Sequence, residues 1–564
     1  MPPDAALPVT PPAPMTPIAS TQRIEALDVV RGFALLGIFL MNIEFFNRSF
    51  ASFNEGMPRG LTGADWWASW FVNYFVAGKF WTIFSLLFGM GFAVFMVRAE
   101  QAGRDFKRVY LRRVLALAVF GALHYVFVWE GDILFSYAVA AAMLMVVLYG
   151  RPWPLVAAVV VVAGVAVVVD IEDLFAVASG LATAGLVALY LRSEKRVRVG
   201  RISLPIFSFL LLLTGIGLCI AAAVFWLLPD GPTAPRLPLT VFGPLVGVAG
   251  WLSWKYHEPT GKRSPRLGVS LVLFAALAMT ATGLAQRFGA DPDAPATAAA
   301  QPTAKAQPTA QKQAEKKPEK KPAQTKEERA AERKAEREQR LADGKREKEM
   351  ELKVFTTGSY LDTVNLRAQR FPEKVAGDFG FSVILMGMFL LGVGFVRSGV
   401  MDNTAAHLPL FRRLALWGVP LGIALGLAGS VIAMSHTPGD RLDGWGIARG
   451  LRFLGDLPAC LGYVSCVVLM LHSKTWLAGI RVLAPMGRMA LTNYLLQSLI
   501  CMLTFYGFAA GHWGLPRAQQ LLFVAVVFIG QVAFSHWWLS KFRYGPLEWF
   551  WRGFTYRQTP AWRS

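Results

Sequence analysis

The sequence predicts an all-α polytopic membrane protein, and three observations support this prediction. Hydrophobic residues make up 54% of the 564 residues, and aromatic residues make up 13%. Apolar runs of about 17 to 25 residues recur along the chain, the length that a helix needs to cross a hydrocarbon core of about 30 Å. The alternating pattern of membrane-spanning strands is absent, so the backbone polar groups must be satisfied within helices.

The apolar runs predict about fourteen transmembrane helices, with the N-terminus and the C-terminus both in the cytoplasm. Basic residues cluster in alternate loops, such as 98–113 and 192–201, whereas the loops between them, such as 130–132 and 170–173, are short or acidic. Cytoplasmic loops carry an excess of Lys and Arg, so this alternation sets the predicted orientation. The predicted spans are 26–46, 78–97, 112–129, 132–150, 153–169, 175–191, 205–228, 237–254, 266–286, 378–397, 409–434, 455–471, 486–509 and 517–539.

Composition divides the chain into five regions. Residues 1–22 are rich in Pro and Ala and predict a disordered tail without a cleaved signal peptide. Residues 289–352 pass from Ala, Pro and Gln into alternating Lys and Glu, which predicts a disordered, charged linker; its second half could instead form a solvated helix through i,i+4 charge pairs. This linker separates the helix groups 23–170 and 171–288 from a C-terminal membrane domain at 353–564.

Several function classes find no support in the sequence. The formal net charge of +20 does not indicate nucleic-acid binding, because most Lys and Arg of the folded regions lie in short loops between spans. A phosphate-binding loop, a dinucleotide fingerprint and hydrolase motifs are missing from suitable contexts. The cysteines lie inside apolar runs without a CxxC or His-rich spacing, so we predict neither disulfides nor a metal site. They are Cys219, Cys460, Cys466 and Cys501.

Charged and amide side chains near the inner ends of two spans predict an intramembrane polar group. Asp28 and Arg31 lie in the first span, and we expect them to neutralise each other or to serve a site, because an ionisable group in hydrocarbon is costly. Arg488, Asn493 and Gln497 lie near the start of a later span. The two amides are i,i+4 neighbours and form one polar stripe, which either joins helices or lines a cavity.

A second polar group is predicted at the outer ends of the first spans. The catalytic candidates are His124, Glu130 and Asp132, and the substrate-binding candidates are Asn42, Glu44 and Lys79. The chain reverses direction at 130–132, which brings two carboxylates back over the imidazole. An imidazole beside a carboxylate is the usual equipment for general-base catalysis at neutral pH. A histidine that only packs between helices is the alternative.

Two blocks of sequence suggest a family. The C-terminal block runs from Gly487-Arg-Met-Ala-Leu-Thr-Asn-Tyr494 to Phe542-Arg-Tyr-Gly-Pro-Leu-Glu-Trp549. The N-terminal block includes Leu27-Asp-Val-Val-Arg-Gly32 and Phe84-Ser-Leu-Leu-Phe-Gly89. These blocks resemble the YeiB-like bacterial multi-pass membrane proteins, whose C-terminal domain has no assigned function. The resemblance implies a place in the bacterial cytoplasmic (inner) membrane, and it leaves residues 175–286 as an addition to the family pattern.

The run Asp28…Arg31-Gly32…Asn42 is also similar to the transmembrane acyltransferases, which include heparan-alpha-glucosaminide N-acetyltransferase. That similarity implies transfer from cytosolic acyl-CoA, a co-substrate rather than a permanently bound cofactor, to an extracytoplasmic glycan or lipid. Asn42 then matches the asparagine near the acceptor. The family's catalytic histidine falls in the loop after the first span, but residues 43–77 contain no His, which leaves His124 as the nearby substitute.

Three functions fit these observations. An acyltransferase would use the basic inner face for a CoA phosphate and the outer His and carboxylate group for catalysis. A transporter of a small molecule would use the same intramembrane polar residues as a substrate or proton pathway. A membrane scaffold without enzymatic activity fits the charged linker and leaves the buried charges unexplained. The acyltransferase is the preferred prediction.

Overall fold

The structure is a computed structural model of the protein. It describes residues 24–563 apart from 54, 102, 104–105, 170, 229–235, 289–325 and 437–442. In this part of the chain, eleven helices are long and apolar enough to cross a membrane. Three shorter apolar helices accompany them, at Leu134–Tyr149, Trp153–Val169 and Ala490–Phe505. The predicted class, an all-α polytopic membrane protein, is confirmed.

The helices follow the apolar runs of the sequence. They are α1 Glu25–Asn42, α2 Gly63–Phe71, α3 Lys79–Gln101, α4 Lys107–Phe127, α5 Leu134–Tyr149, α6 Pro152–Val169, α7 Glu172–Arg192, α8 Ile206–Leu227, α9 Arg236–Lys255, α10 Arg263–Phe288, α11 Lys326–Thr357, α12 Tyr360–Arg397, α13 Leu408–Ala433, α14 Trp445–Leu471, α15 Ala484–Arg488, α16 Ala490–Phe505, α17 Arg517–Lys541 and α18 Pro546–Tyr556. Each predicted span coincides with one of them, and one span is divided between α15 and α16. Fourteen crossings and cytoplasmic termini stay predictions.

The charged linker is helical over the residues that the structure describes. Its second half forms α11, which is the alternative that the i,i+4 charge pairs of the sequence suggested. Its first half and the tail 1–22 lie outside the described residues. α12 follows at once and begins at a capping box, in which the Ser359 hydroxyl accepts from the Asp362 amide. Its 38 residues make a helix about 57 Å long, so its first half extends beyond a hydrocarbon core of about 30 Å.

Small residues let several helices approach closely. A Cβ added to Gly487 of α15 would lie 1.8 Å from the Asp28 carbonyl oxygen of α1, and one on Gly422 of α13 would lie 2.6 Å from the Ala459 Cβ of α14. Close approach through glycine is a common way to pack membrane helices, because lipid supplies no hydrophobic force between them. α15 is therefore held against the first turns of α1, where the inner polar group lies.

A short hairpin interrupts the helices between α7 and α8. β1 Arg196–Val199 pairs antiparallel with β2 Ile202–Pro205, with Val197 opposite Leu204. The turn contains Gly200 at φ +59°, a conformation that favours glycine. The sequence prediction contained no strand, because four-residue strands rich in arginine leave little signal in an apolar chain.

Candidate functional site

A cavity of about 280 Å³ lies between α1, α3, α4, α5, α15, α16 and α18. Aromatic and aliphatic side chains form much of its wall, including Phe88, Phe92 and Leu117. Five arginines and two carboxylates also line it among the described residues. The charged lining residues are Asp28, Arg31, Arg98, Arg113, Arg488, Glu548 and Arg552. We call this space the inner cavity, because its charged residues lie at the end of the bundle that the sequence places in the cytoplasm.

Both carboxylates of the inner cavity are already engaged. Asp28 accepts from Arg31 at 2.9 Å. Glu548 accepts from the backbone amides of Leu491 at 2.7 Å and Thr492 at 3.1 Å, at the start of α16. A carboxylate at a helix N-terminus satisfies amides that the helix leaves without partners. Neither acid is therefore available to balance the other arginines.

Two arginines of the cavity, Arg113 and Arg552, lie against aromatic rings. The Arg113 guanidinium lies 4.1 Å from the Trp551 ring centroid, and the Trp551 indole donates to the Arg113 carbonyl at 3.0 Å. Arg552 lies 4.7 Å from the Tyr544 ring. The Nε of Arg488 is buried without a hydrogen-bond partner among the described residues. An excess of positive charge in a mostly apolar space indicates a site for an anionic ligand.

A buried histidine–aspartate pair lies above the inner cavity. The Nδ1 of His124 and the Oδ1 of Asp132 are 2.9 Å apart, and both side chains are almost fully buried. The other carboxylate oxygen of Asp132 accepts from the Phe135 amide at 2.7 Å, in the first turn of α5. The carboxylate thereby favours the tautomer with its proton on Nδ1 and leaves Nε2 as an acceptor. Nε2 is buried and has no partner in the described part of the chain.

Tyr494 connects this pair to the inner cavity. Its ring centroid lies 5.3 Å from that of His124, and Tyr494 itself lines the cavity together with Ile133. Its buried hydroxyl makes no hydrogen bond within the described residues. The cavity therefore ends beside the imidazole. On α4, His124 lies eleven residues beyond the cavity-lining Arg113, a distance of about 16 Å at about 1.5 Å per residue.

Glu130, the third catalytic candidate, does not bond to His124. Its carboxylate pairs with Arg370 of α12 at 3.2 Å, and Arg370 also bonds Glu347 at 2.9 Å and Glu351, both from α11. Ser49 donates to Glu351. Burial, and next the charge of Glu351, raise the pKa of Glu130 to about 7. We call these five residues the outer network. Because the Glu130 carboxylate is bound to Arg370, Asp132 is the carboxylate that orients the His124 imidazole.

The three substrate-binding candidates are separated from the histidine. Glu44 lies 3.0 Å from Arg48 and 3.1 Å from Arg517. Lys79 is 3.0 Å from Asp456 of α14 and is almost fully buried. Asn42 is half-buried at the end of α1.

None of these side chains hydrogen-bonds to His124 or Asp132. Each buried charge instead has an opposite charge beside it, as a low-dielectric surrounding requires. The expectation of one outer cluster is therefore replaced by separate ion pairs.

The amide stripe on α16 joins two helices. Asn493 donates to the Ser535 hydroxyl of α17 at 3.0 Å, and Gln497 donates to the Gln531 side chain at 2.9 Å. Gln531 in turn donates to the Asn493 carbonyl at 3.0 Å. Of the two alternatives for the stripe, the observed bonds correspond to contacts between helices. Arg488, from the same group, lines the cavity instead.

One group of side chains has the ligand atoms of a metal site, but the guanidinium of an arginine occupies the space between them. Glu194, His257 and Glu258 place their ligand atoms within 4.8 Å of one another. Arg263 donates to Glu194 at 2.9 Å, and its Nη2 lies 2.7 Å from the Nε2 of His257. Burial and the Arg263 charge lower the pKa of His257. The guanidinium already takes the place of a cation, so this group is an arginine clamp between loops.

Several residues of the site were not selected from the sequence. Tyr494 and Glu548 lie inside the family blocks quoted above, and their position there was the signal that could have found them. Arg113 belongs to the basic loop 98–113, which the sequence assigned to topology and to an inner basic face for a CoA phosphate, but it was not singled out from that loop. Arg370 and Asp456 carried no local signal, because each pairs with a residue more than two hundred positions away.

This architecture, with charged side chains enclosed among spanning helices, defines a polytopic α-helical membrane protein with an internal polar site. Residues 395–558 match a family model described as "Protein of unknown function (DUF418)". This region holds α13 to α18, and with them Tyr494, Arg488, Glu548 and Arg552, whereas His124 lies outside it. Together with the relatives below, the match supports the resemblance of the chain to the YeiB-like proteins.

Three curated relatives are similar to the chain. The chain is 24% identical over 562 residues to "Uncharacterized protein YxaH" of Bacillus subtilis (strain 168), covering 96% of each chain. It is 35% identical over 184 residues to "Uncharacterized protein YeiB" of Escherichia coli (strain K12), covering 31% of this chain and 44% of the relative. It is 40% identical over 135 residues to the "Uncharacterized 39.9 kDa protein in amylase 3'region" of Bacillus acidopullulyticus, covering 24% and 36%. No solved structure matches the chain.

Proposed function

We propose that this protein is a membrane acyltransferase of the bacterial cytoplasmic membrane. It takes the acyl group from cytosolic acyl-CoA and transfers it to a hydroxyl or amine of an extracytoplasmic sugar or lipid-linked acceptor. One observation carries the proposal: a cavity with an excess of arginines ends at Tyr494, beside a buried His124–Asp132 pair whose Nε2 has no partner in the described chain. A cationic entrance and a general base are what acyl transfer from CoA needs.

The residues take the following roles in this proposal. Arg113, Arg488 and Arg552 attract the anionic end of acyl-CoA, while the apolar wall of the cavity accepts the acyl chain. His124 takes the proton of the acceptor hydroxyl or amine as the acceptor attacks the thioester carbonyl. The carbon–sulfur bond then breaks, and the leaving CoA thiolate takes that proton from the imidazolium. Tyr494 donates a hydrogen bond to the developing oxyanion.

The proposal requires the inner cavity to face the cytoplasm. With both termini cytoplasmic, a reporter fused after Ser564 is active inside the cell, and one inserted near Lys312 is active outside. A reporter after Ser564 that reads external would place the arginines on the side without acyl-CoA. That result would contradict the donor side of the proposal.

The direct test measures release of the CoA thiol by purified protein in lipid nanodiscs, with acetyl-CoA and a panel of sugar and lipid acceptors. Removing a general base typically lowers the rate about 10²- to 10⁴-fold, so His124→Gln should lose turnover by that factor while it still binds acetyl-CoA. His512→Gln, a change at an exposed histidine on another loop, is the matched control and should keep full turnover. Full turnover by His124→Gln, or no consumption of acyl-CoA by the wild type, would contradict the proposal.

A transporter is the second candidate, because one ion pair lies at a break between helices. α2 and α3 are separated by the π-helix Val72–Val76 and by Gly78 at φ +86°, and a Cβ on Gly78 would lie 2.3 Å from the Asp456 carboxylate. Lys79 and Asp456 pair at this break. Broken helices with buried charges form the substrate and ion sites of many transporters. Uptake or export that needs Asp456, in protein that never binds acyl-CoA, would favour this function.

A further inference from the structure

A second cavity of about 300 Å³ adjoins the inner cavity. Ile24 and Arg98 line both spaces, so the two cavities meet at the end of α3 and the start of α1. The remaining wall of the second cavity comes from the first residues of α1, from the turn between α12 and α13, from the end of α14 and from Arg481. We call this space the polar cavity, because six of its ten lining residues have charged or hydrogen-bonding side chains.

The side chains of the polar cavity present three kinds of chemistry. Arg98, Arg481 and His472 supply donors for an anion, and Glu25 and Asp402 supply acceptors. Ile24, Met401 and Leu471 supply apolar surface among them. A nucleotide site needs the same three elements. Cations bind the phosphates, a carboxylate accepts from the ribose hydroxyls or an exocyclic amine, and apolar side chains contact the purine.

Two basic groups of the polar cavity, Arg481 and His472, make contacts that a ligand can replace or leave in place. Arg481 donates to the Leu471 carbonyl at 3.3 Å. The Nε of Arg481 lies 3.7 Å from a Glu25 oxygen, and both side chains are 56% exposed. An exposed ion pair at that distance contributes little, so a phosphate competes with it readily. The His472 Nε2 lies 2.8 Å from the Thr404 hydroxyl, which fixes the ring without using its second nitrogen.

We propose that the polar cavity binds the phosphorylated adenosine of CoA, while the pyrophosphate lies at the arginines of the inner cavity and the pantetheine arm and acyl group extend from there toward His124. This inference rests on the proposed acyltransferase function and assigns it a second binding site. Each cavity alone is at or below the lower limit of about 300 Å³ for a small-molecule pocket. Joined at Arg98, they suit a ligand with a compact, anionic end and a long, thin, less polar arm.

The test measures the Kd of three ligands by isothermal titration calorimetry on the full chain in lipid nanodiscs. The ligands are CoA, ADP and pantetheine, which present the whole molecule, a nucleotide alone and the arm alone. Arg481→Gln should weaken CoA and ADP at least tenfold, because hydrogen bonds to charged groups contribute about 1.5–3 kcal/mol. It should leave the Kd of pantetheine unchanged. Lys474→Gln removes an exposed charge from the same loop and should change none of the three.

A second substitution keeps the test independent of one arginine. Asp402→Asn should weaken CoA and ADP about three- to tenfold and leave pantetheine unchanged, since it removes an acceptor for the ribose or the adenine amine. Unchanged CoA binding in both variants would overturn the polar-cavity site and leave the acyltransferase proposal in place. Binding of ADP that is as tight as that of CoA would assign the cavity to a free nucleotide and overturn the CoA inference. Binding of neither CoA nor pantetheine by the wild type would instead defeat the acyltransferase proposal itself.

Discussion

The outer network and the inner cavity both enclose charged side chains, but they balance them differently. In the outer network Arg370 bonds three carboxylates, from Glu130, Glu347 and Glu351. In the inner cavity the carboxylates of Asp28 and Glu548 are engaged, and further arginines remain beside aromatic rings. Buried charges that pair with each other connect parts of the structure. Arginines grouped without enough carboxylates repel one another, and an anionic ligand reduces that repulsion. The difference separates a structural region from a candidate site.

The largest effect should follow from removing the cation of the outer network. Arg370→Gln leaves three carboxylates close together, and breaking a buried ion pair costs about 3–5 kcal/mol. Arg488→Gln is the matched change in the inner cavity and should alter the free energy of unfolding by less than about 1 kcal/mol, because Arg488 has no ion pair among the described residues. Denaturation in detergent measures both. Equal losses of stability would erase the distinction between the two regions.

A smaller loss should follow at the isolated pair between α3 and α14. Lys79→Met leaves Asp456 buried without its cation and should lower the free energy of unfolding by about 3 kcal/mol. The double variant Lys79→Met/Asp456→Leu should recover most of that loss, since neither charge then remains. Recovery of stability together with loss of a transport activity would assign the pair a functional role. A single variant as stable as the wild type would show that the pair contributes nothing.

The pH dependence of stability should reveal Glu130. Its pKa of about 7 lies above the usual 4.5, so between these values the folded protein holds a proton that the unfolded chain releases. The contribution of this group is therefore present below about pH 4.5 and is lost as the pH rises through 7, an effect of about 1–3 kcal/mol. Glu130→Gln should flatten this part of the curve of melting temperature against pH. An unchanged slope would mean that another group titrates.

The smallest effect is expected at the amide contact between α16 and α17. Gln531→Leu removes the bonds to Gln497 and to the Asn493 carbonyl, and such contacts between membrane helices average about 0.6 kcal/mol. Gln519→Leu changes an exposed glutamine on the same helix and serves as the control. A loss above about 2 kcal/mol would show that the stripe does more than join the two helices.

The sequence predicted those features that depend on neighbouring residues. Apolar length located the helices, and the reversal at 130–132 brought Asp132 back to His124. The same reversal also suggested Glu130, but the side chain turns to Arg370, which is 240 positions away. No pattern in one sequence reveals such a partner, because the contact exists only after α12 packs beside α5.

The shape of the cavity was likewise beyond the sequence, since it depends on how seven helices meet. The sequence offered the basic loop 98–113 as part of a face for a CoA phosphate, but basic residues near the membrane surface satisfy the rule for topology whether or not they bind a ligand, so Arg113 could not be told apart from its neighbours. The composition of residues 289–352 also gave no sign that the end of α11 packs against the helix bundle. The high content of charged residues predicted a linker, yet Glu351 is fully buried, and the Phe355 ring stacks on the Tyr506 ring with centroids 5.0 Å apart.

The place of α18 in the chain has a consequence for biogenesis. This helix supplies Trp551 and Arg552 to the cavity wall, and its Glu548 secures the first amides of α16. In chain order it follows all the candidate spanning helices that the structure describes. A nascent chain that has inserted all its spanning helices still lacks one side of the cavity. Completion of the site therefore depends on a segment that is synthesised after these spanning helices, and a chain cut short before residue 546 would enter the membrane with the binding space unfinished.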